Sequence, residues 1–88
     1  MVARIERALR DENARFALGL LGELDRTIPG GQLNEERAAA RVLAHCQLGS
    51  AAAPALASEF ARRYAKSAYR TRIAQSCATN VTPESGAP

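Results

Sequence analysis

The stretch Ala14-Arg15-Phe16-Ala17-Leu18-Gly19-Leu20-Leu21-Gly22-Glu23-Leu24-Asp25-Arg26-Thr27-Ile28-Pro29-Gly30-Gly31 decides the fold class. Phe16, Ala17, Leu20, Leu21, Leu24 and Ile28 recur at steps of three and four, which puts them on one face of a helix with Arg15, Glu23 and Arg26 opposite. Strict apolar–polar alternation, the mark of a half-buried strand, does not occur. A helix is expected from Ala14 to about Thr27. It stops because Pro29 disfavours helical geometry at Ile28 and the two glycines accept positive φ. Asn13 is the expected N-cap. Gly19 and Gly22 each lower helix propensity by about 1 kcal/mol relative to Ala, and their expected use is to let another helix approach closely.

The same period extends in both directions. Val2, Ile5, Ala8 and Leu9 form the stripe of a first helix over about 2–10. A third helix, about Leu33 to Gln47, turns Ala38, Ala39, Val42, Leu43 and Cys46 inward and closes at Gly49, the place of a C′ glycine. Ser50 is positioned to cap a fourth, about 51–66, with Pro54 in its first turn and Leu56, Ala57, Phe60, Ala61 and Tyr64 in line. Ser67 is positioned to cap a fifth, about 68–77, with Tyr69, Ile73 and Cys77 on one stripe. The expected fold is all-α, about five antiparallel helices forming one domain over 1–78. Residues 79–88 hold two prolines and no apolar stripe, and are expected to be a disordered tail.

Composition bounds the rest. Of the 88 residues 47% are apolar by type, and 19 are Ala against four aromatics, Phe16, Phe60, Tyr64 and Tyr69. A chain this short buries only about 60–65% of the surface its unfolded form exposes, so no second domain fits. No apolar run approaches the roughly 20 residues of a membrane span. The N-terminus opens directly into a charged amphipathic pattern instead of an apolar signal core. The expected location is therefore cytoplasmic, or periplasmic and envelope-associated if the chain is a domain of a longer exported protein.

Twelve basic residues against nine acidic give a net charge of +3. Signs mix along the first helix, whereas Arg62, Arg63, Lys66, Arg70 and Arg72 form a stretch without an acid. Solvated cations near helix C-termini account for such a run. The competing reading makes Arg62, Arg63, Lys66 and Arg70 a basic binding face for phosphate or acidic groups. His45 is the lone histidine and the two cysteines are not at ligand spacing, so no metal is expected, and no cofactor. The carboxylate pairs Asp11/Glu12 and Glu35/Glu36 are adjacent in sequence and diverge on a helix, as do His45 and Cys46. No catalytic residue is expected, and the chain is not expected to be an enzyme.

Sliding the sequence by 36 positions superposes Ala8 on Ala44, Ala17 on Ala53, Leu20 on Leu56, Arg26 on Arg62 and Ala38 on Ala74. Bulky positions follow, with Leu24 on Phe60, Ile28 on Tyr64 and Leu33 on Tyr69, and breaks coincide at Asn13/Gly49 and Gly31/Ser67. The unit is a helical hairpin that cannot bury its apolar face alone and does so by stacking.

Arg10-Asp11-Glu12-Asn13, Phe16-Ala17-Leu18, Leu24 to Leu33, Glu35-Glu36-Arg37, Ala44-His45-Cys46-Gln47-Leu48-Gly49, Phe60-Ala61-Arg62-Arg63-Tyr64 and Arg72-Ile73 together resemble tetratricopeptide-type repeats. More narrowly they are similar to the short C-terminal repeat domain of myxobacterial envelope and regulatory proteins, over about residues 8–78. The sequence departs from that pattern at Ile28, where Phe is usual, at Gly49-Ser50, where Gly-Arg is usual, and at Ala65-Lys66, where Pro marks the turn. The resemblance implies a non-catalytic scaffold or adaptor that holds a protein or peptide partner, with self-association into a homo-oligomer through open stack ends. The alternative is a small basic nucleic-acid-binding or regulatory protein, although nucleic acid is not the expected partner, and neither reading inserts the chain into a membrane.

Cys46 and Cys77 are either buried thiols or one disulfide, and their spacing does not choose. The 36-residue register puts Cys77 on Arg41, five residues before Cys46. That is about 7.5 Å along a helix, more than a disulfide tolerates unless the fifth helix shifts.

Overall fold

A computed structural model describes residues 2–28 and 33–80, and those residues are all-α. Five helices follow in order: α1 (Val2–Arg10), α2 (Ala14–Thr27), α3 (Asn34–Leu48), α4 (Ala53–Arg63) and α5 (Tyr69–Asn80). The expected turn at Pro29-Gly30-Gly31 and the tail from Val81 onward lie outside the described residues. Helix α5 runs through Asn80, past the domain end expected at 78. A helix needs no apolar stripe in its last turn to continue the hydrogen-bond ladder of the turn before it.

α1 buries Ile5, Ala8 and Leu9 of the expected stripe, and the Val2 side chain lies outside the described ones. Its end is closed by Glu12, which sits in the left-handed region at φ 57°. There the Glu12 N–H donates to Leu9 O and the Asn13 N–H to Ala8 O, at 3.1 and 2.7 Å. Gly49 does the same for α3 at φ 66°, with the Ser50 N–H reaching back to His45 O. Asn13 occupies the N-cap position of α2, but its side chain makes no cap hydrogen bond.

α2 buries Ala14, Ala17, Leu20, Leu21 and Leu24. Phe16, expected inward, is 48% exposed. At 100° per residue it lies about 40° outside the arc bounded by Leu20 and Ala14, and the Arg4 guanidinium sits 5.9 Å from its ring centroid. The glycine expectation is also overturned. A Cβ on Gly19 would meet nothing within 4 Å, and one on Gly22 only the Arg26 side chain at 3.8 Å. Both glycines lie on the side of α2 opposite its buried arc, so neither admits a neighbouring helix.

α3 is the central element and packs against all four other helices. It buries Ala39, Ala40, Val42, Leu43, Ala44 and Cys46. Ser67 Oγ accepts the Tyr69 N–H at 3.0 Å at the start of α5, as expected, whereas Ser50 Oγ accepts the Ala52 N–H at 3.0 Å within the turn before α4, whose N-cap position is Ala52 and carries no side-chain cap. α4 is shorter at both ends than expected, because residues 51–52 and 64–66 are turns. It buries Phe60, whose ring centroid lies 4.9 Å from that of Tyr64.

The packed pairs have a pattern of their own. α1 packs on α2, α2 on α3 and α1 on α3; advancing each label by two gives α3 on α4, α4 on α5 and α3 on α5, which completes the set among the described residues. Ala17 on α2 and its 36-residue equivalent Ala53 on α4 are both fully buried, as are Ala39 and Ala44 on α3. Small side chains at these points bring helix backbones close together.

Candidate interaction site

Two of the recesses left by this packing involve the sequence-predicted residues. α1 and α5 flank α3, and between them lies an open recess of about 310 Å³ floored by Leu43 and Gln47. Gln47 Nε2 donates to Leu9 O at 2.7 Å, tying α3 to α1. Arg72 of α5 reaches Glu6 of α1 at 2.9 Å, an ion pair joining two helices that do not themselves pack together.

The larger recess is a cleft of about 580 Å³ between α4 and α5. Ala57, Phe60, Ala61, Ile73 and Ala74 form its apolar part, and Lys66, Ser67 and Arg70 stand at the α4–α5 turn. Its origin is in the sequence. The 36-residue equivalents of Ala57, Ala61 and Ala65 are Leu21, Asp25 and Pro29, so the second unit carries alanines where the first carries larger side chains.

The four residues of the expected basic face have separate fates. Arg62 pairs with Glu59 one turn back on α4. The Arg63 guanidinium lies 5.7 Å from the Tyr64 ring centroid. Arg70 Nη1 donates to Ala65 O at 2.6 Å, fastening the turn. Lys66 and Arg70 line the cleft together, whereas Arg62 and Arg63 do not line it.

Cys46 and Cys77 lie at disulfide distance, Cα to Cα 4.7 Å. Cys77 thus lies beside Cys46 and not beside Arg41, the position a strict 36-residue register gives it. Cys46 is fully buried at this junction and Cys77 partly so. Among the described residues there is no group of three or more His, Cys, Asp or Glu side chains placed to hold a metal ion. No described helix is long and apolar enough to cross a membrane.

One polar cluster escapes a reading of motifs. Asp25 on α2 accepts from Arg37 Nη1 at 2.7 Å and from Arg41 Nη2 at 2.6 Å, both on α3. Partial burial works to raise the Asp25 pKa, but the hydrogen bonds and charges of the two arginines prevail and hold it below the usual carboxylate range. The clue was in the repeat: Asp25, Arg37 and Arg41 fall on Ala61, Ile73 and Cys77, charge against apolar at all three places. Tyr69, at the start of α5, has its pKa raised by burial and by the charges of Glu6 and Glu36, against an opposing pull from Arg72.

No protein-family model, curated protein or solved structure matches the chain.

Proposed function

We propose that the chain is a non-catalytic interaction module, a tetratricopeptide-like stack of antiparallel helical hairpins that docks a protein or peptide partner. The observation that carries this reading is the agreement of two periods. The sequence recurs at 36 residues, and the set of packed helix pairs recurs when advanced by two helices. Such stacks end in helices that lack their next neighbour and so leave surface for a partner. Several polar side chains serve to join helices: Asp25 links α2 to two arginines of α3, and Glu6 links α1 to Arg72 of α5.

The test is capture. With the chain as bait in an extract of its own host, the expected result is enrichment of one defined protein over an unrelated helical bait of equal charge. Equal recovery on both baits contradicts the module. Self-association is read separately by light scattering, where the mass is expected to rise above the 9.4 kDa of the monomer with concentration. A mass fixed at 9.4 kDa at high concentration removes the homo-oligomer from the proposal.

A further inference from the structure

We infer that the α4–α5 cleft is the docking site, and that its occupant is an acidic amphipathic segment of a partner protein, one apolar side chain entering the cleft and carboxylates resting on Lys66 and Arg70. This rests on the interaction-module reading and adds to it a place and a chemistry.

Volume and polarity come first. At about 580 Å³ the cleft is of the size of ligand recesses in general, roughly 300–1,000 Å³. It has room for a Leu- or Phe-sized group beside Ile73 and Phe60. Its residues include two cations and no acid. Of the acids near it, Glu59 is paired with Arg62, and Glu35 lines the adjoining recess, which Lys66 and Ser67 also line. A guanidinium has five donors and Arg70 gives one to Ala65 O, which positions the group while others remain to meet a carboxylate. The Ser67 hydroxyl accepts the Tyr69 N–H and keeps its own proton to donate.

Charge also separates this occupant from the Phe16 face of a second copy, and the self-association arm of the experiment covers the other exposed apolar side chains, Leu33 and Leu48. Among the described residues Phe16 is the largest exposed apolar side chain, and Arg4 stands over its ring. A second copy offering Phe16 would bring Arg4 against Lys66 and Arg70, and like charges brought together at an interface are repelled. A partner whose apolar residue is flanked by Glu or Asp meets the opposite situation.

The experiment is fluorescence anisotropy with a labelled acidic peptide bearing Leu at helical spacing and Glu between, beside a counterpart in which every Glu is Gln. Two variants at exposed positions probe the cleft without touching the core: Ala74→Leu, which fills it, and Lys66→Glu, which reverses its charge. The expected result is saturable binding of the acidic peptide, weakened about tenfold by Ala74→Leu and about threefold by Lys66→Glu, with the Gln peptide binding more weakly than the Glu peptide. Equal binding of both peptides, or binding unaffected by Ala74→Leu, overturns the inference. So does self-association that Ala74→Leu abolishes, because it seats a second copy in the cleft, and so does displacement of the peptide by duplex DNA at physiological salt. If the chain captures its partner equally well with and without Ala74→Leu, the module stands and the cleft does not; if it captures nothing, the module itself fails.

Discussion

The two sides of α3 are held by different means. Toward α1 and α2 the contact is a packed core of Ile5, Leu9, Leu21 and Leu24 under a polar clasp, Asp25 with Arg37 and Arg41. Toward α4 and α5 the core continues through Ala53, Phe60 and Ile73, but Leu21 and Asp25 are replaced at the equivalent positions by Ala57 and Ala61, a cleft stands open, and Cys46 and Cys77 lie at disulfide distance. A disulfide there would offset the smaller side chains of this unit. The α4–α5 cleft, about 580 Å³, is larger than the recess of about 310 Å³ that α1 borders.

Cutting the crosslink is the largest way to disturb this contrast. The bridge joins residues 31 apart in sequence, and a loop of that length stabilises by about 3–4 kcal/mol in the chain-entropy estimate. Denaturant melts with and without reductant should differ by about that amount; a difference under about 1 kcal/mol would show that α5 is held by packing alone. Exchanging the two sides residue for residue comes next. Leu21 is 1% exposed, so Leu21→Ala should cost about 3 kcal/mol. The reverse change at its equivalent, Ala57→Leu, should cost less than about 1 kcal/mol, because the cleft can take the added atoms. Equal costs at the two positions would erase the distinction.

Smaller effects refine it. Glu12 and Gly49 close α1 and α3 in the same left-handed geometry. A non-glycine residue is strained there, so Glu12→Gly should stabilise by up to about 1 kcal/mol, while Gly49→Ala should destabilise by a similar amount. Asp25→Asn should cost about 0.5 kcal/mol near neutral pH, the network being partly exposed and screened. The pH dependence has a definite sign. The folded-state pKa of Asp25 lies below its unfolded value, so its contribution is complete above about pH 4–5 and is lost as pH falls through the folded-state pKa. The gap between parent and variant stability should therefore close in acid and persist at pH 7. Tyr69 works the other way, its raised pKa giving stability below about pH 10 that is lost as pH rises through the folded-state value. Tyr69→Phe should remove that alkaline limb from the stability profile.

Much of the architecture was legible because helix period, glycine and serine breaks and buried stripes are local. α1 and α2 occupy the expected spans, and Gly49 and Ser67 act at the expected helix ends, while Ser50 braces the turn before α4. What the sequence did not reveal depends on how elements meet. Phe16 fits a helical stripe, yet no helix lies over its edge of the arc. Gly19 and Gly22 suggest close approach, yet nothing approaches them. The cysteine pairing turns on the axial position of α5 along α3, which a strict repeat places five residues away. The basic stretch read as one face, but its members serve different ends: Arg62 pairs with Glu59, Arg72 with Glu6, and Lys66 and Arg70 line the cleft.

Amide hydrogen exchange on the oxidised and the reduced chain, resolved helix by helix, tests the contrast between the two sides most directly. Reduction is expected to lower protection in α5 and on the cleft side of α4 while α1, α2 and the body of α3 keep theirs. Protection lost in equal measure along all five helices would contradict it, since the two sides of α3 would then be one cooperative unit held by the same forces.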